Sequence, residues 1–255
     1  MTCLGVTCNT EFSKTACCCG RRRKRLSSSK TTVMEMSVVK HRSASVICTL
    51  VMALGLALAG NAPASAQNAD ARRSLFDGKT LQGWEGDAAW FRVQDECIVG
   101  GHLDREIPHN FFLSSKDEYG DFELTLEFHL KGDRTNAGVQ IRSRRIPDHH
   151  EMIGYQADLG QSYWGALYDE SRRRRILAAP DAEQLSRVLQ KDGWNSYRIR
   201  CEGRRVQLWI NDLQTVDYYE SDLDLEQRGL IAVQIHGGPA GEAWYRNIQL
   251  TSLER

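Results

Sequence analysis

Phe122-Glu123-Leu124-Thr125-Leu126-Glu127-Phe128-His129-Leu130 alternates apolar and polar residues without a break. A period of two places every apolar side chain on one face of an extended strand, whereas a helix would scatter them around its circumference. The pattern recurs at Val139/Ile141, Tyr197/Ile199/Cys201, Val206/Leu208/Ile210 and Ile231/Val233/Ile235, with Glu202-Gly203 and Asn211-Asp212 as turns between adjacent runs. Short half-buried strands of this kind predict an all-β, antiparallel fold, a two-sheet sandwich or jelly roll. One helical stretch is expected, Asp181 to Leu189, with Asp181 as N-cap after Pro180.

The strand pattern starts only after a different kind of segment. Val46 to Ala59 carries no charge, is too short for the ~20 apolar residues of a comfortable membrane span, and follows Lys40, His41 and Arg42. Ala64-Ser65-Ala66 then supplies a small-residue cleavage site, so a secretory signal peptide cut between Ala66 and Gln67 is predicted. The expected organisation is a non-periodic stretch over 1–33, lying upstream of a true start at Met34 or Met36 or else disordered. A signal peptide over 34–66, a polar linker over 67–73 and one β domain over 74–255 follow it. Export implies a periplasmic or extracellular location, with no stable membrane span after processing.

Removing the leader changes the arithmetic of charge and cysteine. Lys plus Arg and Asp plus Glu number 33 each, but residues 1–66 hold nine basic and two acidic groups. The remainder carries 24 basic against 31 acidic groups, a net of −7. An acidic body argues against nucleic acid as a partner, since phosphate binding needs a positive surface. Of eight cysteines only Cys97 and Cys201 stay, on apolar strand positions, where one disulfide or two buried thiols would both fit. No cofactor is expected, and no metal-type Cys spacing survives. Calcium would suit the acidic oxygens of Glu220-Ser221-Asp222-Leu223-Asp224-Leu225-Glu226, although the run reads foremost as a solvated loop. His149-His150 reads as a surface loop pair and His129 as an outward strand residue. Arg172 to Arg175 reads as a charged edge strand, and Gly237-Gly238-Pro239 as a turn.

Alternation also sorts the polar residues. With Val139 and Ile141 inward, Gln140, Arg142 and Arg144 point outward; with Ile231, Val233 and Ile235 inward, Gln234 and His236 do so. Tyr155-Gln156-Ala157-Asp158 adds Gln156 and Asp158 on one face, and Trp164 and Tyr168 could form an aromatic platform. Planar amides, a bidentate cation, a carboxylate and aromatic rings are the mixture that a saccharide requires.

Ser74-Leu75-Phe76-Asp77-Gly78-Lys79-Thr80-Leu81-Gln82-Gly83-Trp84 resembles the opening motif of the 3-keto-disaccharide hydrolase domain family. Asn136-Ala137-Gly138-Val139-Gln140-Ile141-Arg142, Gly165-Ala166-Leu167-Tyr168, Gly193-Trp194-Asn195 and Arg246-Asn247-Ile248 are similar to its later motifs, in the same order. The resemblance implies a concanavalin A-like jelly roll and action on glucosides whose C3 hydroxyl has become a ketone. Such a ketone acidifies the C2 proton, so cleavage needs a base, a donor for the enolate oxygen and an acid for the leaving group. Asp158 or His236 is the expected base and Arg142 the expected enolate stabiliser. Gln140, Arg144, Gln156, Trp164, Tyr168 and Gln234 are the expected substrate contacts. A noncatalytic, lectin-like carbohydrate-binding domain and an adhesive envelope module are the competing expectations.

Overall fold

The computed structural model describes residues 72–254; the expected signal peptide, the stretch before it and residues 67–71 of the linker lie outside the described residues. In chain order the strands begin with β1 (Arg72–Ser74), β2 (Trp84–Glu85), β3 (Phe91–Gln94), β4 (Cys97–His102) and β5 (Phe111–Tyr119). β6 (Phe122–Lys131), β7 (Asn136–Arg145), β8 (Met152–Gly160), β9 (Leu167–Glu170) and β10 (Ile176–Ala178) follow. After α1 (Ala182–Ser186) come β11 (Asn195–Glu202), β12 (Arg205–Ile210), β13 (Leu213–Tyr219), β14 (Gly229–Ile235) and β15 (Gly241–Ser252). Sheet I runs β13-β12-β11-β6-β15-β4-β3 with β1 also on β15, and sheet II runs β10-β9-β8-β7-β14-β5-β2. Every pairing is antiparallel. This is the jelly-roll sandwich that the alternation and the resemblance both lead one to expect.

The inward residues of the two sheets meet in one core. Phe122, Leu124, Leu126, Phe128 and Leu130 of β6 face Val139, Ile141, Tyr155, Ala157, Ile231, Val233 and Ile235 of sheet II. Tyr245 ties the layers together by donating its hydroxyl to Gln234 O at 2.6 Å. Cys97 and Cys201 are buried free thiols in two separate clusters, which decides between the two cysteine expectations. The helix is shorter than predicted, but its cap is the expected one: the Asp181 carboxylate accepts from Gln184 N at 2.9 Å.

One local departure from alternation decides which polar residues face out. Between the pairs Gln140↔Gln156 and Arg144↔Ile153, β7 has one residue more than β8, and it has one more than β14 as well. Arg142 sits in this bulge with φ +47°, a left-handed conformation that costs a non-glycine residue about 1 kcal/mol or more. An inserted residue flips all that follows it. Arg144 therefore leaves the outer face of sheet II and is exposed elsewhere, while Arg145 takes its place and bonds Ser114 Oγ and Glu85 O. Arg142 turns away altogether. Its guanidinium donates to Gly120 O (2.8 Å), Gly203 O (2.6 Å), Gln227 Oε1 (2.8 Å) and Asp121 Oδ1 (2.7 Å), clamping the turns at one end of the sandwich. The expected enolate stabiliser is an architectural residue.

The Arg172–Arg175 run likewise lies in the β9–β10 turn rather than on an edge strand. Arg172 and Arg173 bond the fully buried Asp169 carboxylate, and Arg173 also reaches Glu220 Oε2 at 2.6 Å. Glu220 further accepts from Tyr155 Oη (2.7 Å) and Tyr218 Oη (3.1 Å), so its oxygens are taken and are not available to calcium. Among the described residues no three His, Cys, Asp or Glu side chains converge as a metal site, and no helix is long and apolar enough to cross a membrane.

Candidate functional site

On the outer face of sheet II the register aligns polar residues in rows. Gln140, Gln156 and Tyr168 are neighbours on β7, β8 and β9, and the next row is Gln234, Gly138 and Asp158 on β14, β7 and β8. Gly138 is essential to this arrangement, because a Cβ there would stand 2.7 Å from Cγ and Cδ of Gln156. The Gln156 side chain lies over the glycine and reaches the next row, donating from Nε2 to Asp158 Oδ1 at 2.7 Å. Gln140 Nε2 donates to Gln156 Oε1 at 2.8 Å, and Ser143 Oγ donates to Gln140 Oε1 at 2.5 Å. Each amide can give from one end and accept at the other, so the chain Ser143→Gln140→Gln156→Asp158 has one direction. It makes Asp158 Oδ1 an acceptor, and no described residue donates to Oδ2.

These residues border a cavity of about 230 Å³ lined by Asn110, Asn136, Gln156, Asp158, Gln161, Tyr163, Tyr168, Glu170 and His236. It is smaller than the ~300–1,000 Å³ of sites for drug-sized ligands and suits a single sugar ring. The β8–β9 loop closes tightly around Asp158, whose N–H donates to Ala166 O and whose carbonyl accepts from Gly165 N, both at 2.9 Å. Gly165 itself adopts φ +69° and packs against Thr215, where a Cβ would come within 2.9 Å. The Gly165-Ala166-Leu167-Tyr168 motif is thus the device that brings β9, with Tyr168 and Glu170, against β8.

Two carboxyls in the cavity bind their protons unusually tightly. Burial pushes Asp158 up to about 8, aided by the charge of Glu170 and opposed by the bond from Gln156. Burial, then the nearby Glu151 charge, pushes Glu170 up to about 7. At neutral pH Asp158 is mostly the acid and Glu170 is poised at its midpoint. His236 Nδ1 lies 2.6 Å from Gly237 O; a carbonyl can only accept, so Nδ1 carries the hydrogen and a neutral ring offers Nε2 as the acceptor. Asn136 Oδ1 is buried without a partner at the cavity wall, an acceptor that a sugar hydroxyl would satisfy.

Of the residues expected from sequence, Asp158, His236, Gln156 and Tyr168 line this cavity. Gln140 and Gln234 are fully enclosed instead: Gln140 supports Gln156 from behind, and neither amide atom of Gln234 has a partner. Trp164 borders an adjoining hollow, while Arg142 and Arg144 lie away from the cavity. Glu170, Asn110, Asn136, Gln161 and Tyr163 were missed. Glu170 and Asn136 share parity with Tyr168 and Gln140, so alternation could have found both; Asn110 sits in a loop and left no such signal. His149 and His150 are exposed, as expected, and stack 4.4 Å apart in a ring series that continues to His109 at 4.3 Å. His129 faces outward beside Trp194, 5.7 Å between rings.

The profile of the 3-keto-alpha-glucoside-1,2-lyase-like domain family matches residues 71–251. The chain belongs to that family. Among solved structures, a protein from Parabacteroides distasonis assigned as a glycosyl hydrolase superposes with TM-score 0.56 at 19% identity, covering 76% of this chain and 99% of its own. A second protein of that assignment and organism gives TM-score 0.54 at 20% identity, covering 72% and 100%. A Bacillus subtilis protein of unknown function with a galectin-like fold gives 0.52 at 13%, covering 71% and 94%. At such identities these likenesses show the fold alone. No curated protein matched the chain.

Proposed function

We propose that this family member cleaves the glycosidic bond of 3-keto glucosides or disaccharides by elimination and hydration. The observation that carries the reading is the pair Asp158 and Glu170, two carboxyls with different proton affinities in one ring-sized cavity. Asp158 is buried and Glu170 only partly so, which suits the enclosed carboxyl to hold a proton as the acid and the more open one to lose it as the base. Glu170 takes the C2 proton, the electron pair moves toward the C3 ketone oxygen, and an enolate forms. The C1–O bond then breaks, the leaving oxygen takes the Asp158 proton, and a C1–C2 double bond remains conjugated to the ketone. Water then adds its hydroxyl to C1 and gives its proton to Asp158, while Glu170, exchanged with solvent, returns a proton to C2, so both carboxyls are reset and the net reaction is a hydrolysis. The Tyr168 hydroxyl is the donor nearest in role to the withdrawn Arg142, Asn136 Oδ1 accepts from one ring hydroxyl, and His236 Nε2 accepts from another. The reading includes export, on the strength of the leader motif at Val46–Ala66.

Incubating the purified protein with a 3-keto disaccharide in D₂O tests this directly. Released monosaccharide carrying deuterium at C2 is expected, and both release and label should vanish in Asp158→Asn and Glu170→Gln. Release without label would replace elimination by direct displacement. The withdrawal of Arg142 favours one second reading, a binding domain without catalysis, because among the described residues no arginine or lysine lines the cavity. Saturable binding of the sugar with no release would establish that reading.

A further inference from the structure

Beside the carboxylate cavity lies a larger hollow of about 650 Å³, bordered by His129, Thr135, Gln161, Trp164, Lys191 and Asp192 among others. The two hollows share a wall. Gln161 lines both, and in the pairs Thr135/Asn136 and Tyr163/Trp164 consecutive residues serve the two sides. Gln161 holds φ +48° and donates from Nε2 to Arg134 O at 2.9 Å, which ties the β8–β9 loop to the β6–β7 turn along this rim. Trp164 is half-buried, anchored with its ring centre 6.1 Å from that of the core residue Phe128. Since the first cavity suits one ring, the rest of a disaccharide must lie beyond its rim.

We propose that the Trp164 hollow is the subsite for the leaving sugar, so that the preferred substrate is a disaccharide with its oxidised ring beside Asp158 and Glu170. The inference rests on the function proposed above. An indole anchored on one side offers a rigid apolar surface to a pyranose at little cost in side-chain entropy. Lys191 and Asp192 at the rim supply a donor and an acceptor for hydroxyls. Burial and the nearby Lys131 hold His129 below the usual imidazole range, so it faces the hollow as a neutral ring with one donor and one acceptor nitrogen.

The test measures kcat/KM for a 3-keto disaccharide and for the methyl 3-keto glucoside of the same anomeric configuration. With Trp164→Ala the value for the disaccharide should fall roughly tenfold, with the methyl glucoside within about twofold of wild type. Thermal melting shows whether Trp164→Ala keeps its fold. Should it not, the exposed pair Lys191→Ala and Asp192→Ala carries the same test, with a disaccharide-specific loss of roughly threefold expected. Equal losses on both compounds, or none, overturn the leaving-sugar subsite while cleavage of the methyl glucoside leaves the proposed chemistry standing. Turnover of neither compound by the wild type overturns both.

Discussion

Changing Asp158 to Asn should make the protein more stable as well as inactive, and the gain should grow with pH. Asn keeps the acceptor that Gln156 bonds at 2.7 Å and removes only the titrating proton. In the native state the carboxyl is pushed up to about 8 from 3.8, first by burial. Between these values the folded protein holds a proton that the unfolded chain has released. Wild-type stability therefore falls as pH rises, by ~1.4 kcal/mol per unit for this group, and levels off above about 8. From pH 5 to pH 8 the loss amounts to about 4 kcal/mol, a large share of the ~5–15 kcal/mol that folds a typical domain. The Asn variant lacks this slope. Urea unfolding of both proteins at pH 5, 6, 7 and 8 should show a gap that opens steadily in favour of Asp158→Asn. A gap of constant size over that range would refute the claim that the cavity keeps Asp158 protonated.

The same proton affinities predict a bell-shaped kcat/KM, rising near 7 as Glu170 ionises and falling near 8 as Asp158 does, the two apparent values belonging to the coupled pair. Gly138→Ala should displace Gln156, release the bond that lowers Asp158, and move the alkaline limb upward in a pH–rate profile. Arg142→Ala should cost about 2–3 kcal/mol in urea unfolding, because a buried guanidinium with four bonds is lost and buried Gly120 O is left without its donor, while kcat of the folded fraction stays near that of wild type. A reducing agent should leave Tm unchanged, whereas a protein losing a disulfide would lose about 2–5 kcal/mol of stability.

Several of the family motifs turn out to hold the scaffold together. Asp77 accepts from Lys79 N and Thr80 N in the opening motif, and Asn195 brackets Gln190 through N and O; both are turn devices away from the cavity. In Asn136–Arg142 the first residue lines the cavity, Gly138 makes room for Gln156 and Arg142 clamps distant turns, so one motif serves site and architecture together. An arginine in such a motif reads as catalytic until its backbone is seen.

Alternation along the chain was enough to assign the all-β class, the inward set of β6, β7, β11, β12 and β14, and the shared face of Gln156 and Asp158. That is so because a strand's period of two is a local property, visible in any few consecutive residues. The single extra residue at Arg142 left no mark in that pattern, since a bulge exists only relative to the neighbouring strands, yet it reversed the facing of Arg144 and withdrew the expected cation. The meeting of Asn136, Asp158, Glu170 and His236 belongs to the sheet order β9-β8-β7-β14, which brings residues 100 positions apart to one wall. The proton affinities of Asp158 and Glu170 likewise come from the loss of water around them, and desolvation is a property of the assembled cavity that no stretch of sequence possesses.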